Sequence, residues 1–312
     1  MRQINKSTSQ QVIKSRRPAG LALFAILLFA AAYSQGSRTR ELAPGVWFWQ
    51  GNRDIQQPAN CGWILFRDYV LVIDANFPWG AREILPEIKK TTSKPIRFVF
   101  DTHYHGDHAY GNSVFVDAGA AIVCSQDCAA ELRTKGQAGW DKNTATGEFS
   151  LKQYRLEQPT IVFGDGMVFD DGEHRVELKR MGPGHSKGDA VAYLPKEKIL
   201  FAGDLCVNWK SGNNTSDRDA DHPNWVRALN EMARWDVRTV VPGHGVLSST
   251  DTLHAQAAYL DDIWKQVSAG RRAGKAVDEL VKSIDLGRHG DFAASAQGNA
   301  SAVRAMYAKV QQ

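Results

Sequence analysis

The sequence has few cysteines and no long apolar segment, and its first 34 residues contain no acidic residue. Four cysteines in 312 residues are too few for a disulfide-built scaffold, so an apolar core has to hold the fold together. Disulfide pairing and buried free thiols are both open for Cys61, Cys124, Cys128 and Cys206. The longest apolar run, residues 21–32, is short for a membrane span. The sequence also lacks tandem repeats and low-complexity tracts.

The first 34 residues have the pattern of a secretory signal. Five basic residues precede the apolar run 21–32, and small residues stand at positions 32 and 34. We therefore expect residues 1–34 to be a signal peptide that is removed on export. The mature protein is then periplasmic or secreted, with no stable membrane insertion. An uncleaved membrane anchor is the alternative.

The charge balance excludes one class of partner. The whole chain has 38 basic and 34 acidic residues, a net charge of +4. Loss of the five basic residues of the signal leaves 33 basic residues against 34 acidic ones. A mature protein with this balance has no electrostatic reason to bind nucleic acid, so we expect a small-molecule partner.

Beyond the signal, short apolar strands alternate with amphipathic helices. This order fits two mixed sheets covered by helices, which is an α/β fold. We expect it to occupy residues 42–247, followed by a C-terminal helical extension over 249–312. A proline at position 86 is expected to kink or shorten its helix. The predicted strands lie within 45–77, as a meander, and within 96–103, 120–125, 160–182, 189–208 and 237–245; the stretch 189–208 is expected to be a hairpin that turns near residues 195–198. The predicted helices lie at 79–92, 126–140 and 224–235 and in three segments after 249, and the polar residues 139–153 are expected to form a loop.

The stretch DTHYHGDHAYGN, residues 101–112, follows an apolar strand and is rich in metal-ligand residues. His103 and His105 are two residues apart, so both can face one ion. Asp107 and His108 follow a glycine, where the chain can bend towards a second position. Neutral imidazole and carboxylate are suitable zinc ligands.

Three later stretches repeat the same pattern of an apolar strand, a glycine and then a ligand residue. They supply His185 in MGPGHSKGD, Asp204 in ILFAGDLCV and His244 in VVPGHG. The repetition predicts that all seven residues meet at one site. The remaining histidines lack the pattern. We expect surface or capping roles for His174, His254 and His289, and we keep His222 as a residue that contacts substrate.

The four motifs THYHGDH, GPGHSKGD, FAGD and PGHG, in this order, resemble the metallo-β-lactamase superfamily. The resemblance covers about residues 42–247 and implies a four-layer αβ/βα sandwich with a two-metal site at one edge. It further implies that His103, His105 and His185 hold the first metal, that Asp107, His108 and His244 hold the second, and that Asp204 bridges them.

The resemblance also implies a chemistry. Two zinc ions about 3.5–4 Å apart share a water and lower its pKa towards about 7, so that a metal-bridging hydroxide can attack a carbonyl. Asp107 orients this nucleophile and passes a proton to the leaving group, which makes it the expected catalytic residue. Neither a serine nor a cysteine nucleophile is needed.

Asp204 and the export signal narrow the substrate class. β-Lactamases of the superfamily usually have cysteine at this position, whereas aspartate is typical of glyoxalase-II-like thioesterases and lactonases. The run DHAYGN departs from the usual DHxGGN. Export, the opening LAPGVWFWQGN and the helical tail resemble periplasmic relatives, including those of quinoprotein relay systems. We expect a lactone, a thioester or a β-lactam as substrate.

Other functions remain open. An iron-dependent persulfide dioxygenase would use a similar ligand framework, so iron is an alternative to zinc. A β-lactamase proper and a non-enzymatic periplasmic metal-binding accessory protein are the further alternatives. The polar stretch 208–224 is expected to form the rim of the site, and its candidate substrate-binding residues are Lys210, Asn213, Asn214 and His222.

Overall fold

The computed structural model describes Met1 and residues 38–208 and 214–310, with only the backbone described for Asn214. Apart from Met1, the predicted signal, residues 1–34, lies outside the described residues. Within the described ranges, no helix is long and apolar enough to cross a membrane.

The first sheet has seven strands in the described residues, and their spatial order follows the sequence. The first four strands form an antiparallel meander, of which the last three lie in the predicted region 45–77 and the first was not predicted. The later strands are parallel neighbours, because helical segments cross over between them. The strands are β1 (Thr39–Ala43), β2 (Val46–Trp49), β3 (Cys61–Leu65), β4 (Val70–Ile73), β5 (Ile96–Phe100), β6 (Ala121–Ser125) and β7 (Ile161–Phe163).

The second sheet has five strands in the described residues, in the order β13-β11-β10-β9-β8. The pair β10/β11 is the predicted hairpin, and β11 pairs in parallel with β13. Two very short strands, β12 and β14, form a separate parallel pair. The strands are β8 (Gly166–Asp170), β9 (Arg175–Arg180), β10 (Ala190–Leu194), β11 (Ile199–Phe201), β12 (Val207–Asn208), β13 (Thr239–Val241) and β14 (His244–Gly245).

The helices lie between and after these strands. In the described residues they are α1 (Pro78–Thr91), α2 (Gly106–Ala109), α3 (Asn112–Asp117), α4 (Gln126–Glu131), α5 (Gln137–Asp141), α6 (His222–Met232), α7 (Thr250–Arg272), α8 (Val277–Ser283) and α9 (Ala296–Lys309). The last three form the C-terminal helical region, in which α7 packs against α6 and α9.

The apolar residues arrange these elements in four layers. Phe100 of the first sheet and Phe201 of the second belong to one buried cluster, so the two sheets pack face to face. The outer face of the first sheet packs against α1 and α3 through residues such as Ile84. The outer face of the second sheet packs against α6 and α7, where Leu229 and Leu260 are fully buried. This burial stabilises the sandwich and confirms the predicted fold class.

Helix α1 is not shortened at Pro86, since it continues through that residue to Thr91. A proline has no N–H, so the Arg82 carbonyl cannot accept the usual helical hydrogen bond. Both residues are exposed, which leaves that carbonyl on the side of the helix that water can hydrate. The helix therefore tolerates the proline without ending there.

The segment after β6 is more helical than predicted. The predicted helix 126–140 consists of α4, a π-helical stretch Leu132–Gly136 and α5. The following segment, expected to be a loop, contains two single-turn 3-10 helices, Gly147–Phe149 and Leu151–Gln153.

The structure also shows the surroundings of the cysteines and of the histidines outside the motifs. All four cysteines are buried and free, which answers the question of pairing. The surface prediction is wrong for His174, which is 5% exposed and places Nδ1 2.8 Å from Oε1 of Glu197. His254 is exposed, as expected. Nε2 of His289 lies 2.8 Å from Oδ2 of Asp262.

Candidate metal centre

The seven predicted ligand residues meet at one edge of the sandwich. His103 and His105 follow β5, His185 lies in the loop before β10, Asp204 lies in the 3-10 turn after β11, and His244 begins β14. Asp107 and His108 lie in α2. The carboxyl ends of neighbouring strands thus bring residues together that are far apart in sequence.

Two of the glycines in the motifs are sterically required. Gly203 has a φ of 50°, and a β-carbon there would lie 2.6 Å from Oγ1 of Thr102. A β-carbon on Gly243 would lie 2.0 Å from Oδ1 of Asp204. The repeated glycine before the ligand residue therefore has a physical cause, since these positions have no room for a side chain.

The first group of donor atoms comes from three histidines and one carboxylate. His185 Nε2 is 3.0 Å from Nδ1 of His105 and 3.5 Å from Oδ2 of Asp204. His103 Nε2 is 4.0 Å from the same Asp204 oxygen. All four residues offer one ligand atom within 4.8 Å of the others.

The second group lies on the other side of Asp204. His244 Nε2 is 3.4 Å from Nε2 of His108 and 3.3 Å from Oδ2 of Asp107. Oδ1 of Asp204 lies 3.2 Å from His108 Nε2 and 3.1 Å from His244 Nε2. Asp204 therefore turns one oxygen to each group.

Neighbouring groups fix which histidine nitrogen faces the site. His108 Nδ1 lies 2.8 Å from Oδ2 of Asp74, and His244 Nδ1 lies 2.9 Å from the carbonyl of Pro58. His103 Nδ1 lies 3.2 Å from the hydroxyl of Thr102. Each of these contacts holds the Nδ1 side of the ring, so Nε2 is the nitrogen that faces the site.

Sequence reasoning missed Asp74, although the signal was present. Asp74 follows the apolar strand β4, and its carboxylate also accepts hydrogen bonds from the backbone N–H and the hydroxyl of Thr102. In the stretch YVLVIDANF the apolar run is thus followed directly by an acidic residue, much as the ligand-bearing strands are followed by a ligand residue. The Asp74 carboxylate therefore contacts His108 directly and His103 through the Thr102 hydroxyl, on the side of both rings that faces away from the site.

The donor set fits a pair of divalent cations. His103 Nε2 is buried and has no hydrogen-bond partner in the described part of the chain. Such an atom is costly unless a ligand satisfies it. Six imidazole and carboxylate side chains around a shared carboxylate are the oxygen and nitrogen donors that zinc and similar ions take.

The ionisation of the first group favours cation binding. Burial lowers the pKa of His103 well below its ordinary value, and burial lowers the pKa of His185 to about 4. Both imidazoles are therefore neutral at pH 7 and keep a free lone pair. Burial opposes ionisation of Asp204, but His244 and His108 hold its pKa well below the usual range. The carboxylate is therefore charged.

The carboxylates make the second group attractive to positive charge. Burial opposes protonation of His108, yet Asp204, Asp74 and Asp107 raise its pKa well above the ordinary value. The same balance, with Asp204 as the leading charge, raises the pKa of His244. A field that favours a proton here also favours a metal cation.

A family model described as the metallo-beta-lactamase superfamily matches residues 55–244, which is more than half of the chain. The chain belongs to the metallo-beta-lactamase superfamily. The predicted resemblance is thus confirmed, and the chain is a hydrolase of this superfamily with candidate metal-binding histidine and aspartate groups.

Two curated relatives show the range of the superfamily. The chain is 25% identical over 191 residues to metallo-beta-lactamase IND-1 of Chryseobacterium indologenes, covering 60% of this chain and 71% of that protein. It is 23% identical over 247 residues to a linear primary-alkylsulfatase of a Pseudomonas species, covering 67% of this chain. The match spans 46% of the alkylsulfatase's own length.

Solved structures share the fold. A metallo-beta-lactamase from Pontibacter korlensis superimposes with a TM-score of 0.60 at 22% identity, over 72% of this chain and 98% of that one. The DIM-1 metallo-beta-lactamase gives a TM-score of 0.58 at 18% identity, over 72% and 96% of the two chains. At these identities the likeness concerns the fold alone.

A cavity of about 1010 Å³ adjoins the two donor groups. His105, His185, Asp107, Asp204 and His244 form part of its floor. Cationic and aromatic side chains also line the cavity; they are Arg53, Lys135, Lys142, Arg218, Phe77 and Tyr104. A small molecule can therefore reach the ligand residues from solvent.

The predicted substrate-binding residues have different outcomes. Lys210 and Asn213 lie outside the described residues, as does the side chain of Asn214. His222 is fully buried, and its Nε2 lies 2.8 Å from the carbonyl of Thr215. It is absent from the cavity lining, so the structure does not support contact between His222 and substrate. Its ring instead holds the backbone at Thr215, within the stretch that is expected to form the rim of the site.

Proposed function

We propose that the protein is an exported dinuclear zinc hydrolase that cleaves a carbonyl substrate: a lactone, a thioester or a β-lactam. The observation that carries the proposal is the position of Asp204, whose two oxygens face two separate groups of histidine donors. A single ion would not require this division. The signal pattern of residues 1–34 supports export to the periplasm or beyond.

The donor groups suggest which residues would hold each ion. His103, His105 and His185 would hold the first, and Asp107, His108 and His244 would hold the second, with Asp204 shared between them. When bound, a pair of zinc ions supplies an activated water and polarises the bond under attack.

Asp107 is the residue best placed to handle a proton. Its side chain is 22% exposed, whereas His108, His244 and Asp204 are at most 2% exposed. Asp107 also lines the cavity, with Oδ2 3.3 Å from His244 Nε2. A carboxylate that contacts both the donor group and the cavity can orient a water and pass its proton to a leaving group.

A second candidate function is hydrolysis of a sulfate ester. The alkylsulfatase relative matches 67% of this chain. The cavity lining includes Lys142 and Arg218. Such cations would favour a substrate that carries an anionic group. The carbonyl and sulfate candidates share the site and differ in the bond that is cleaved.

The test is a hydrolysis panel on the mature, zinc-loaded protein, with nitrocefin, lactones, acyl-thioesters and a primary alkyl sulfate. We expect turnover of a carbonyl substrate and a loss of at least about 100-fold in kcat for Asp107→Ala. The control is Asp165→Ala, since the side chain of Asp165 is 100% exposed and pairs with Arg180, which is not a ligand residue. Turnover of the alkyl sulfate alone would favour the second candidate. No turnover of any substrate would support an accessory metal-binding protein instead.

A further inference from the structure

Asp217 lies against the outward-facing nitrogen of His105. Its Oδ2 is 3.4 Å from His105 Nε2. The other ring nitrogen, Nδ1, faces the first donor group, 3.0 Å from His185 Nε2. A neutral imidazole that gives one lone pair to a metal carries its proton on the other nitrogen. His105 Nε2 would therefore carry the proton and present it to Asp217.

The loop that carries Asp217 is held by the C-terminal helix. Lys309, the last residue of α9, donates from Nζ to the carbonyl of Arg218 at 2.7 Å and to the carbonyl of Ala220. The same helix packs against the 3-10 turn Asn214–Ser216. The lysine thus fixes the backbone on the C-terminal side of Asp217, and the helix supports the N-terminal side.

Asp219 belongs to the same loop but has different contacts. Its Oδ2 accepts a hydrogen bond from the hydroxyl of Tyr104 at 2.6 Å, and its Oδ1 lies 2.7 Å from Nζ of Lys135. Neither partner is a predicted metal ligand. Asp219 also has a carboxylate oxygen within 4.8 Å of a His105 ring nitrogen. Asp217 and Asp219 are nevertheless a matched pair, since each adds one carboxylate to the loop and, of the two, only Asp217 is within ion-pair distance of His105.

We propose that Asp217 and Lys309 are positioning residues for the first metal. Asp217 orients the His105 ring, and Lys309 holds the loop that presents Asp217. The C-terminal helical region is then part of the metal site. This inference rests on the proposed function, because it requires the first donor group to bind a metal. A carboxylate behind a metal-bound histidine fixes the ring and strengthens the ligand.

The first test is zinc affinity, measured on protein stripped of metal by competition with a chromogenic chelator. Loss of a group behind a ligand typically weakens metal binding by about 10–100-fold, and the partial exposure of Asp217 places the expected effect of Asp217→Ala near tenfold for one ion. The zinc affinity of Asp219→Ala should stay within about twofold of the wild-type value. The zinc affinity of Asp217→Asn should lie between those of Asp217→Ala and the wild type, since an amide oxygen still accepts a hydrogen bond.

Two results would overturn the role of Asp217. One is an unchanged affinity in Asp217→Ala, and the other is an equal loss in Asp219→Ala, which would make loop charge the cause. A wild-type protein that binds no pair of zinc ions is a different outcome. It would refute the proposed function itself.

The second test is a double-mutant cycle between Lys309 and Asp217. Lys309→Met keeps an unbranched apolar stem but removes the cation, and Lys309→Arg restores it. We expect Lys309→Met to weaken zinc binding in the wild-type background and to add nothing in the Asp217→Ala background. Additive losses, or no recovery in Lys309→Arg, would contradict the connection. If metal-free Lys309→Met has a lower melting temperature than the metal-free wild type, its zinc affinity is not interpreted alone. The zinc affinities of Lys309→Arg and of the Asp217 and Asp219 variants then decide whether the connection exists.

Discussion

Several histidine rings at the metal centre have a fixed direction because a neighbouring group contacts the ring nitrogen that faces away from the site. Asp74, Thr102 and the Pro58 carbonyl do so for three of the five histidines. The ligand residues could be predicted because each follows a strand or a glycine. Most of the supporting groups could not, since a backbone carbonyl and a threonine hydroxyl leave no pattern in a sequence.

His222 gives a prediction about stability at this scale. Burial lowers its pKa to about 4, against an ordinary value near 6.5. Between these pH values the unfolded chain binds a proton that the folded chain does not, so stability falls as the pH drops from 6.5 to 4. We expect this residue to contribute a loss of up to about 3 kcal/mol across that window.

The measurement is urea unfolding of wild type and His222→Gln at several pH values. Glutamine keeps an N–H donor for the Thr215 carbonyl but does not titrate. The free energy of unfolding of the wild type should approach or fall below that of the variant as the pH is lowered. Curves that stay parallel from pH 6.5 to pH 4 would show that His222 does not titrate as its burial requires.

At the scale of elements, short strands that end in glycine and a ligand residue organise the molecule. β11 and β13 have three residues each, yet they deliver Asp204 and His244 to one point. The hairpin β10/β11 and the C-terminal helices could be predicted from turn residues and helical spacing. The π-helical stretch Leu132–Gly136 could not, because its geometry depends on tertiary contacts such as the hydrogen bond from Tyr110 to the Gly136 carbonyl.

Pro86 gives the prediction for this scale. It lies in the interior of α1 and is exposed, so Pro86→Ala restores a helical hydrogen-bond donor without disturbing the core. We expect the free energy of unfolding to rise by roughly 1–3 kcal/mol. Lys89→Ala, an exposed position on the same helix, is the control and should change stability by less than about 0.5 kcal/mol. A destabilised Pro86→Ala variant would mean that the proline stabilises the helix.

At the scale of the whole molecule, the four layers place the site and the C-terminal region supports it. The apolar pattern predicted the two covered sheets, since a sheet must bury its apolar faces. The role of the C-terminal helices could not be predicted in the same way. Helical spacing shows that α9 has a buried face, whereas only the folded chain brings Lys309 to the loop of Asp217.

The central claim is that seven side chains hold a pair of divalent cations that serve hydrolysis. The most direct measurement is the metal content, by elemental analysis, of the mature protein purified without added metal. We predict two zinc ions per chain, falling to one or fewer in Asp204→Ala, because that carboxylate faces both donor groups. One iron per chain with little zinc, or two zinc ions retained in Asp204→Ala, would contradict the account.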